Sequence, residues 1–195
     1  FPLGGGRVNL GVGTLATDRR PADVNLRRLI AEYHRTQAAE WGFTSPPRSV
    51  KSALLPMGGA VSGVAGPNWV LAGDAAGCVN PLNGEGIDYG LETGRLAADL
   101  LASDEPEIAG AWVAELSRRY GPAFSAARRL AALLTAPDFL LRAGPVGMRS
   151  RSLMTVALRV MGNLVTPEDT DTVARLWRGL GAVSLRVDER PPFAA

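Results

Sequence analysis

The sequence predicts an α/β fold, seen as a mixed α+β arrangement within these 195 residues, and three patterns support this. A continuous apolar run over 69–73 is typical of a strand buried on both faces. Apolar residues recur at helical spacing directly after it, over 84–101. Beyond residue 104 the long apolar patterns are all helical, over 108–134, 137–165 and 167–180.

The first 65 residues predict a small sheet and one helix. The first fifteen residues alternate loosely, and the glycines at 4, 5 and 6 suit a hairpin turn. Residues 22–41 show helical spacing, with Asp23 and Asn25 as candidate caps. Short apolar runs bounded by Gly and Pro predict two further strands, at 52–55 and 60–64.

Composition excludes several classes of protein. An apolar content of 46% and a charged content of 21% are those of a globular domain. A net charge of +2 gives no case for binding nucleic acid. The apolar stretch over 153–165 is interrupted and shorter than the roughly 20 residues that span a bilayer. We therefore expect a cytoplasmic protein that is soluble or peripheral at the inner face of the membrane.

Positive charge is concentrated in one helical region, 118–159, which holds eight arginines and a single acid, Asp138, a balance of +7. Arginines on helices usually form a solvated face. Alternatively, they form a membrane-surface patch that attracts anionic lipid headgroups beside apolar residues such as Leu140 and Leu141. Both interpretations stay open at this point.

The most informative segment begins at the buried strand and reads WVLAGDAAGCVNPLNGEGIDYGLETGRLAADLL. Asp74 follows the strand at its carboxyl end, where open α/β sheets bind ligands. The small residues 75–77 leave space for a ligand near the backbone. Pro81 and Gly84 shape a tight connection to the next helix. The segment therefore predicts a ligand site between strand and helix.

The predicted helix carries three glycines four residues apart, Gly86, Gly90 and Gly94, which form one stripe along a face. Each interior glycine costs about 1 kcal/mol relative to alanine, so we expect a ligand or another backbone to approach closely. The free N–H groups over 84–87 favour an anion. The N1–C2=O2 edge of a reduced flavin is such an anion.

This segment resembles the second flavin-binding motif of the FAD-dependent hydroxylase and geranylgeranyl-reductase superfamily. In the reductase branch the motif runs GDAAG-x-x-NP-x-x-GEGI, and every fixed position is present from Gly73 to Ile87. The stretch GCVNPLNGEGIDYGLETGRL is most similar to the actinobacterial reductases that saturate an isoprene unit of menaquinone. A weaker match, Phe1-Pro2-Leu3-Gly4, resembles the end of the reductases' W-x-F-P segment.

The resemblance implies an FAD-dependent oxidoreductase with the two-domain fold of the aromatic hydroxylases. Asp74, after Gly73, would bind the ribityl chain of FAD, and Pro81 would lie beside the isoalloxazine ring. The backbone at Gly84, Gly86 and Ile87 would face the pyrimidine edge of the flavin. No catalytic residue can be assigned, and no metal site is predicted.

The resemblance also implies a division of the chain into three parts. Residues 1–65 would be part of the substrate-facing sheet and the return to the FAD domain, with Phe1 and Pro2 facing the substrate. Residues 66–104 would be the last strand and helix of the FAD domain, and 105–195 a helical region.

The superfamily begins with a strand, G-x-G-x-x-G and a helix that hold the ADP half of FAD. Residues 11–16 fit G-x-G-x-x-A, but a polar stretch ending in Pro21 follows instead of an amphipathic helix. We therefore expect the ADP-binding half to precede Phe1.

Three functions are considered. The leading hypothesis is hydride transfer from flavin N5 to a C=C bond of an isoprenoid, either a prenyl lipid or an isoprenoid quinone, with the electron donor unknown. The second is an FAD-dependent monooxygenase, because both branches share the GD motif. The third is a truncated, non-catalytic fragment that docks on membranes. Cys78 is interpreted as a buried small hydrophobe and His34 as a solvent-facing residue, so neither is assigned a catalytic role.

Overall fold

The computed structural model describes residues 2–14, 24–136 and 138–194. The chain divides into two compact units, 1–53 and 54–195. The described part is mostly helical and carries two small antiparallel sheets. The fold prediction is thus confirmed at the level of a mixed fragment dominated by helices in its second half.

The first unit contains a hairpin and a helix. Strands β1 (Pro2–Gly4) and β2 (Arg7–Val8) pair across the three glycines, as the sequence predicts. Helix α1 (Leu26–Trp41) begins after Asn25, whose side chain accepts a hydrogen bond from the Arg28 N–H at 3.0 Å. The alternative cap, Asp23, lies outside the described residues.

The second unit begins with loops rather than with the strands predicted at 52–55 and 60–64. Its sheet consists of β3 (Ala65–Gly66) and β4 (Trp69–Val70), joined by a tight turn. The Trp69 side chain is 44% exposed, so the expectation of a strand buried on both faces is wrong here. Among the described residues β4 pairs with β3 and packs against α3.

Five helices of the second unit follow the sheet: α2 (Ile87–Leu101), α3 (Ile108–Leu134), α4 (Phe139–Met148), α5 (Arg151–Met161) and α6 (Thr172–Arg186). The helical pattern predicted over 137–165 is divided into two helices after Met148. This division is set by Ser150, whose side chain caps α5 by accepting from the Leu153 N–H. The last helix begins at its Asp171 cap, later than the pattern over 167–180 predicts.

The core forms around α3. Trp112, Leu116, Tyr120 and Phe124 recur every four residues, so they share one face of the helix, and all four are buried. Helix α3 contacts β3, β4, α2 and α6, and Phe193 belongs to the same buried cluster as these four side chains. The Trp112 indole N–H donates to the Leu71 carbonyl at 2.9 Å, which fixes the end of β4. The core therefore holds the strand–helix segment in place.

Candidate functional site

The chain after β4 enters a short 3₁₀ helix, Gly73–Ala76, which begins the predicted motif. Gly73 has φ +55°, and a Cβ there would lie 3.2 Å from the Cα of Gly90 in α2. The Gly73 N–H donates to the buried Thr93 hydroxyl at 2.8 Å, and that hydroxyl donates to the Tyr89 carbonyl at 2.6 Å. Backbone contact between the two glycines thus brings the turn onto α2.

The Asp74 carboxyl group lies at the surface beside the start of α2. Its side chain is exposed and makes no hydrogen bond within the described part of the chain. A Cβ on Gly86 would lie only 2.7 Å from Asp74 Oδ1 and 3.1 Å from Val79 Cγ2. Glycine at position 86 is therefore what allows the carboxylate to approach the first turn of the helix.

The N-terminus of α2 leaves backbone donors available, although not the set predicted from the sequence. Gly84 N–H donates to the Asn80 carbonyl and Glu85 N–H donates to Asn83 Oδ1, so neither is free. The N–H groups of Gly86, Ile87 and Asp88 have no partner among the residues described. The positive end of the helix is thus shifted by two residues from the predicted span.

The loop that precedes α2 closes on itself. The Asn80 N–H donates to the Glu85 carbonyl at 2.8 Å, and Asn80 Oδ1 accepts from the Leu82 N–H at 2.9 Å. Pro81 is buried, and its Cγ would be 2.8 Å from a Cβ on Gly58, which has φ +66°. Gly58 in turn donates its N–H to the Val79 carbonyl at 2.8 Å. The loop is rigid because its polar groups are satisfied internally.

A contact that sequence reasoning missed ties this loop to the segment after α5. Asn163 Oδ1 accepts from the Tyr89 hydroxyl at 3.0 Å, and Asn163 Nδ2 donates to Asp88 Oδ2 at 3.0 Å. Asn83 Nδ2 also donates to the Met161 carbonyl at 2.9 Å. We call this set of three hydrogen bonds the α5 latch. Its partners lie more than 70 residues apart, so local pattern gives no signal for it.

The environments of Cys78 and His34 do not indicate a catalytic role for either residue. Cys78 is fully buried, and burial raises the pKa of its thiol to about 12, so it stays protonated at neutral pH. The His34 Nε2–H donates a hydrogen bond to the Ser45 carbonyl, 2.9 Å away, and the ring stacks on Phe43. The Cys78 side chain belongs to the core cluster, and His34 lies in the first unit.

The first unit contains an apolar cavity of about 660 Å³. It is lined by residues of the hairpin, of the extended segment that follows it and of α1: Pro2, Val8, Leu10, Leu29, Tyr33 and Trp41. Of the two residues predicted to face the substrate, Pro2 is therefore in the cavity wall. Phe1 lies outside the described residues.

The closed loop, the start of α2 and the exposed Asp74 lie in the segment predicted to bind flavin, and sequence comparison gives the relatives of the chain. The chain is 65% identical over 194 residues to the menaquinone reductase of Mycobacterium tuberculosis strain H37Rv and 62% identical over 195 residues to that of Mycolicibacterium smegmatis. All of this chain is covered in each case, but only 47% and 48% of the relatives.

More distant relatives are reductases of prenylated lipids. Digeranylgeranylglycerophospholipid reductase 2 of Methanopyrus kandleri is 34% identical over 104 residues, which cover 52% of this chain and 26% of that protein. No protein-family profile and no solved structure matches. The chain is thus a homologue of the menaquinone reductases along its full length, with more distant relatives among the geranylgeranyl reductases, as the motif predicts. It spans about half the length of the menaquinone reductases it matches.

Proposed function

We propose that the protein carrying this chain is an FAD-dependent oxidoreductase that reduces a C=C bond in an isoprenoid, most specifically in the side chain of menaquinone. The observation that carries the proposal is 65% identity to menaquinone reductase over the whole chain, with the flavin motif intact. The complete protein would have the two-domain fold of the aromatic hydroxylases. The GEGI form of the motif and the similarity to reductases of menaquinone and prenylated lipids favour this reduction over a monooxygenase reaction.

The residues present fit a flavin. Asp74, an exposed carboxylate with no hydrogen-bond partner among the described residues, suits the hydroxyl groups of a ribityl chain, as the family resemblance implies. The N–H groups of Gly86, Ile87 and Asp88, which also have no partner there, suit the anionic pyrimidine edge. Bulk at Gly86 would push the Asp74 carboxylate away, so the cradle requires glycine at this position.

Each of these residues has a separate role in the proposed reaction. Bound FAD would supply the hydride in its reduced form. Asp74 would orient the cofactor, while the start of α2 would favour the negative charge at the flavin edge. Pro81 would act as a rigid wall, since it is buried against Gly58 and cannot rearrange freely. Gly84 would act through its positive φ of +74°, which turns the chain toward α2.

The apolar cavity in the first unit is the proposed place for part of the isoprenoid. Its volume of about 660 Å³ falls in the range of small-molecule sites, and its wall is mainly apolar. Burial of a prenyl chain there would be stabilised at about 0.8 kcal/mol for each CH₂ group removed from water. Pro2 keeps the role predicted from the sequence, as part of this wall.

A membrane-resident substrate also places demands on location. A prenyl lipid or isoprenoid quinone is held in the bilayer, so we propose that the enzyme works at the cytoplasmic face of the membrane as a peripheral protein. The arginine-rich helical region predicted from the sequence is the part of the chain that would contact it.

The function is tested with the whole natural protein that carries this chain. The purified protein is loaded with FAD, reduced without oxygen and incubated with menaquinone in detergent, and the lipid is analysed by mass spectrometry. We expect a product heavier by two hydrogens per reduced bond. An unchanged menaquinone and unchanged prenyl lipids would contradict the proposal, and a hydroxylated product formed with oxygen would favour the monooxygenase instead.

The flavin site is tested separately by Asp74→Ala. Loss of hydrogen bonds to a charged acceptor costs about 1.5–3 kcal/mol, so FAD affinity should fall by about 10- to 100-fold. Asp99→Ala is the matched control, because Asp99 is an exposed carboxylate on α2 that pairs with Arg95. FAD affinity is measured by fluorescence quenching. Equal affinity in both variants would show that Asp74 does not bind the cofactor.

A further inference from the structure

Helices α4 and α5, with their connection, form a hairpin over residues 139–161 that buries none of its side chains. We call this element the α4–α5 hairpin. The two helices contact each other, and α4 touches α3. Large apolar side chains are exposed along both helices, at Leu140, Leu141, Val146, Met148, Leu153, Val156, Leu158 and Met161.

Such an element is not self-sufficient in water. The helices contain 10 and 11 residues, and isolated helices shorter than about 12–15 residues are marginal even with favourable sequences. Most helical stability in proteins comes from burying an apolar face, which α3 does and this hairpin does not. Leu141 is 77% exposed and Met148 is 71% exposed. The apolar surface of the hairpin is therefore not buried by any other part of the described chain.

The charges of the region separate into two groups. Five of the eight arginines over 118–159 have partners: Arg118 and Arg119 pair with Glu115, Arg128 with Asp188, and Arg159 with Asp171, while Arg129 donates to the Val187 carbonyl. The remaining three have no ion pair or side-chain hydrogen bond within the described ranges: Arg142, Arg149 and Arg151. All three lie on the α4–α5 hairpin.

We propose that the α4–α5 hairpin docks on an anionic lipid bilayer, with its apolar side chains in the interface and its three unpaired arginines on headgroup phosphates. Charge complementarity selects this occupant, because residues 139–165 contain four arginines and no acid. An amphipathic element rich in arginine and leucine binds membranes by both terms together. The inference sharpens the proposed membrane contact and rests on that part of the proposed function.

Docking of the α4–α5 hairpin on a bilayer would also affect the loop of the flavin motif. The C-terminal end of α5 carries the Met161 carbonyl and leads into Asn163, both of which are in the α5 latch. The loop of the flavin motif is thus hydrogen-bonded to the same helix that would lie on the bilayer. A lipid substrate and the cofactor loop would be brought together by one element.

The test is sedimentation of the whole natural protein that carries this chain with vesicles of phosphatidylcholine, with and without phosphatidylglycerol. We expect binding to the anionic vesicles that weakens as salt is added. Each juxtamembrane arginine contributes about fivefold to partitioning, so Arg142→Gln, Arg149→Gln and Arg151→Gln together should weaken binding by about 100-fold. Leu141→Asn with Met148→Asn should weaken it by about tenfold.

The matched control removes three positive charges elsewhere: Arg27→Gln, Arg48→Gln and Lys51→Gln, all at exposed positions of the first unit. We expect this control to bind within about twofold of the unchanged protein, because the proposal assigns the lipid contact to the arginines of the hairpin. Equal loss in the control and the hairpin variant would overturn the proposal. So would self-association without vesicle binding that disappears in the leucine–methionine variant, because the occupant would then be a second copy.

The vesicle assay needs neither turnover nor an isoprenoid. A protein that binds anionic vesicles through this hairpin but leaves menaquinone unreduced would retain the docking surface and contradict the reductase proposal. A protein that reduces menaquinone in detergent but does not bind vesicles would support the reductase proposal and contradict the docking surface.

Discussion

The flavin-motif segment and the α4–α5 hairpin belong to the same unit but are held in place by different forces. Residues 72–101 are fixed by backbone contacts between glycines, by a buried threonine and by the Trp112 hydrogen bond. The hairpin buries no side chain and has three arginines without a partner in the described ranges. The flavin-motif segment is held by contacts with other residues of the chain. The hairpin instead presents apolar and positively charged groups that suit a partner outside the chain.

This difference shows how a single helical region can serve two purposes. Helix α3 uses every fourth residue for the core, so substitutions there act on folding. The hairpin uses similar residue types for an exposed surface, so substitutions there should act on binding. The α5 latch is the point at which the two segments meet.

The largest expected effect compares two leucines in these segments. Leu116 in α3 is fully buried, so Leu116→Ala should cost about 2–5 kcal/mol of the free energy of unfolding through lost burial and a cavity. Leu158 in α5 is 63% exposed, so Leu158→Ala should change that free energy by less than about 0.5 kcal/mol. Urea unfolding followed by tryptophan fluorescence measures both, without lipid present.

Equal destabilisation by the two leucine variants would show that the hairpin has a protein partner in solution. The comparison between the segments would then be wrong. With anionic vesicles present, the loss of stability in Leu116→Ala should be unchanged. In a separate vesicle-binding assay, Leu158→Ala should bind more weakly than the unchanged protein.

A smaller effect is expected from two glycines of the flavin-motif segment. Gly73→Ala places a Cβ in a left-handed backbone and 3.2 Å from Gly90, so it should destabilise the protein by about 2 kcal/mol. Gly94→Ala meets nothing within 4 Å and sits inside α2, so it should stabilise the protein by up to about 1 kcal/mol. Thermal unfolding of both variants checks the opposite signs.

The Gly94 variant also decides the purpose of the glycine stripe. Retained FAD affinity in Gly94→Ala would show that only the first two glycines, Gly86 and Gly90, need close approach. A strong loss of FAD affinity without loss of stability would instead place a ligand against the middle of α2.

The smallest effect is expected at the latch. Asn163→Gly removes two side-chain hydrogen bonds but tolerates the φ of +55° at this position, so it should cost about 1 kcal/mol locally. Hydrogen exchange of the amides around Asp88 and Tyr89 should be faster in this variant. Asn68→Gly is the control, because Asn68 lies in an exposed turn and its side chain has no hydrogen bond in the described structure. Equal exchange rates in the two variants would show that the α5 latch does not stabilise the start of α2.

Local patterns in the sequence predicted much of the fold. The glycine hairpin, α1 with its Asn25 cap, α2 and the full span of α3 follow directly from turn chemistry and helical spacing. The strands predicted at 52–55 and 60–64 are absent from the described structure, because short apolar runs carry too little information to distinguish a strand from a packed loop. The start of α2 differs by three residues, since the loop before it closes with its own hydrogen bonds.

The sequence by itself determined the family resemblance: the run from Gly73 to Ile87 matches the flavin motif, and its glycines are needed wherever the backbone turns or is approached closely. Only the tertiary structure decided that Thr93 and Asn163 support this segment, and which N–H groups and arginines have no partner among the described residues. These features depend on contacts between residues far apart in the chain, and such contacts arise only when the core around α3 brings the elements together.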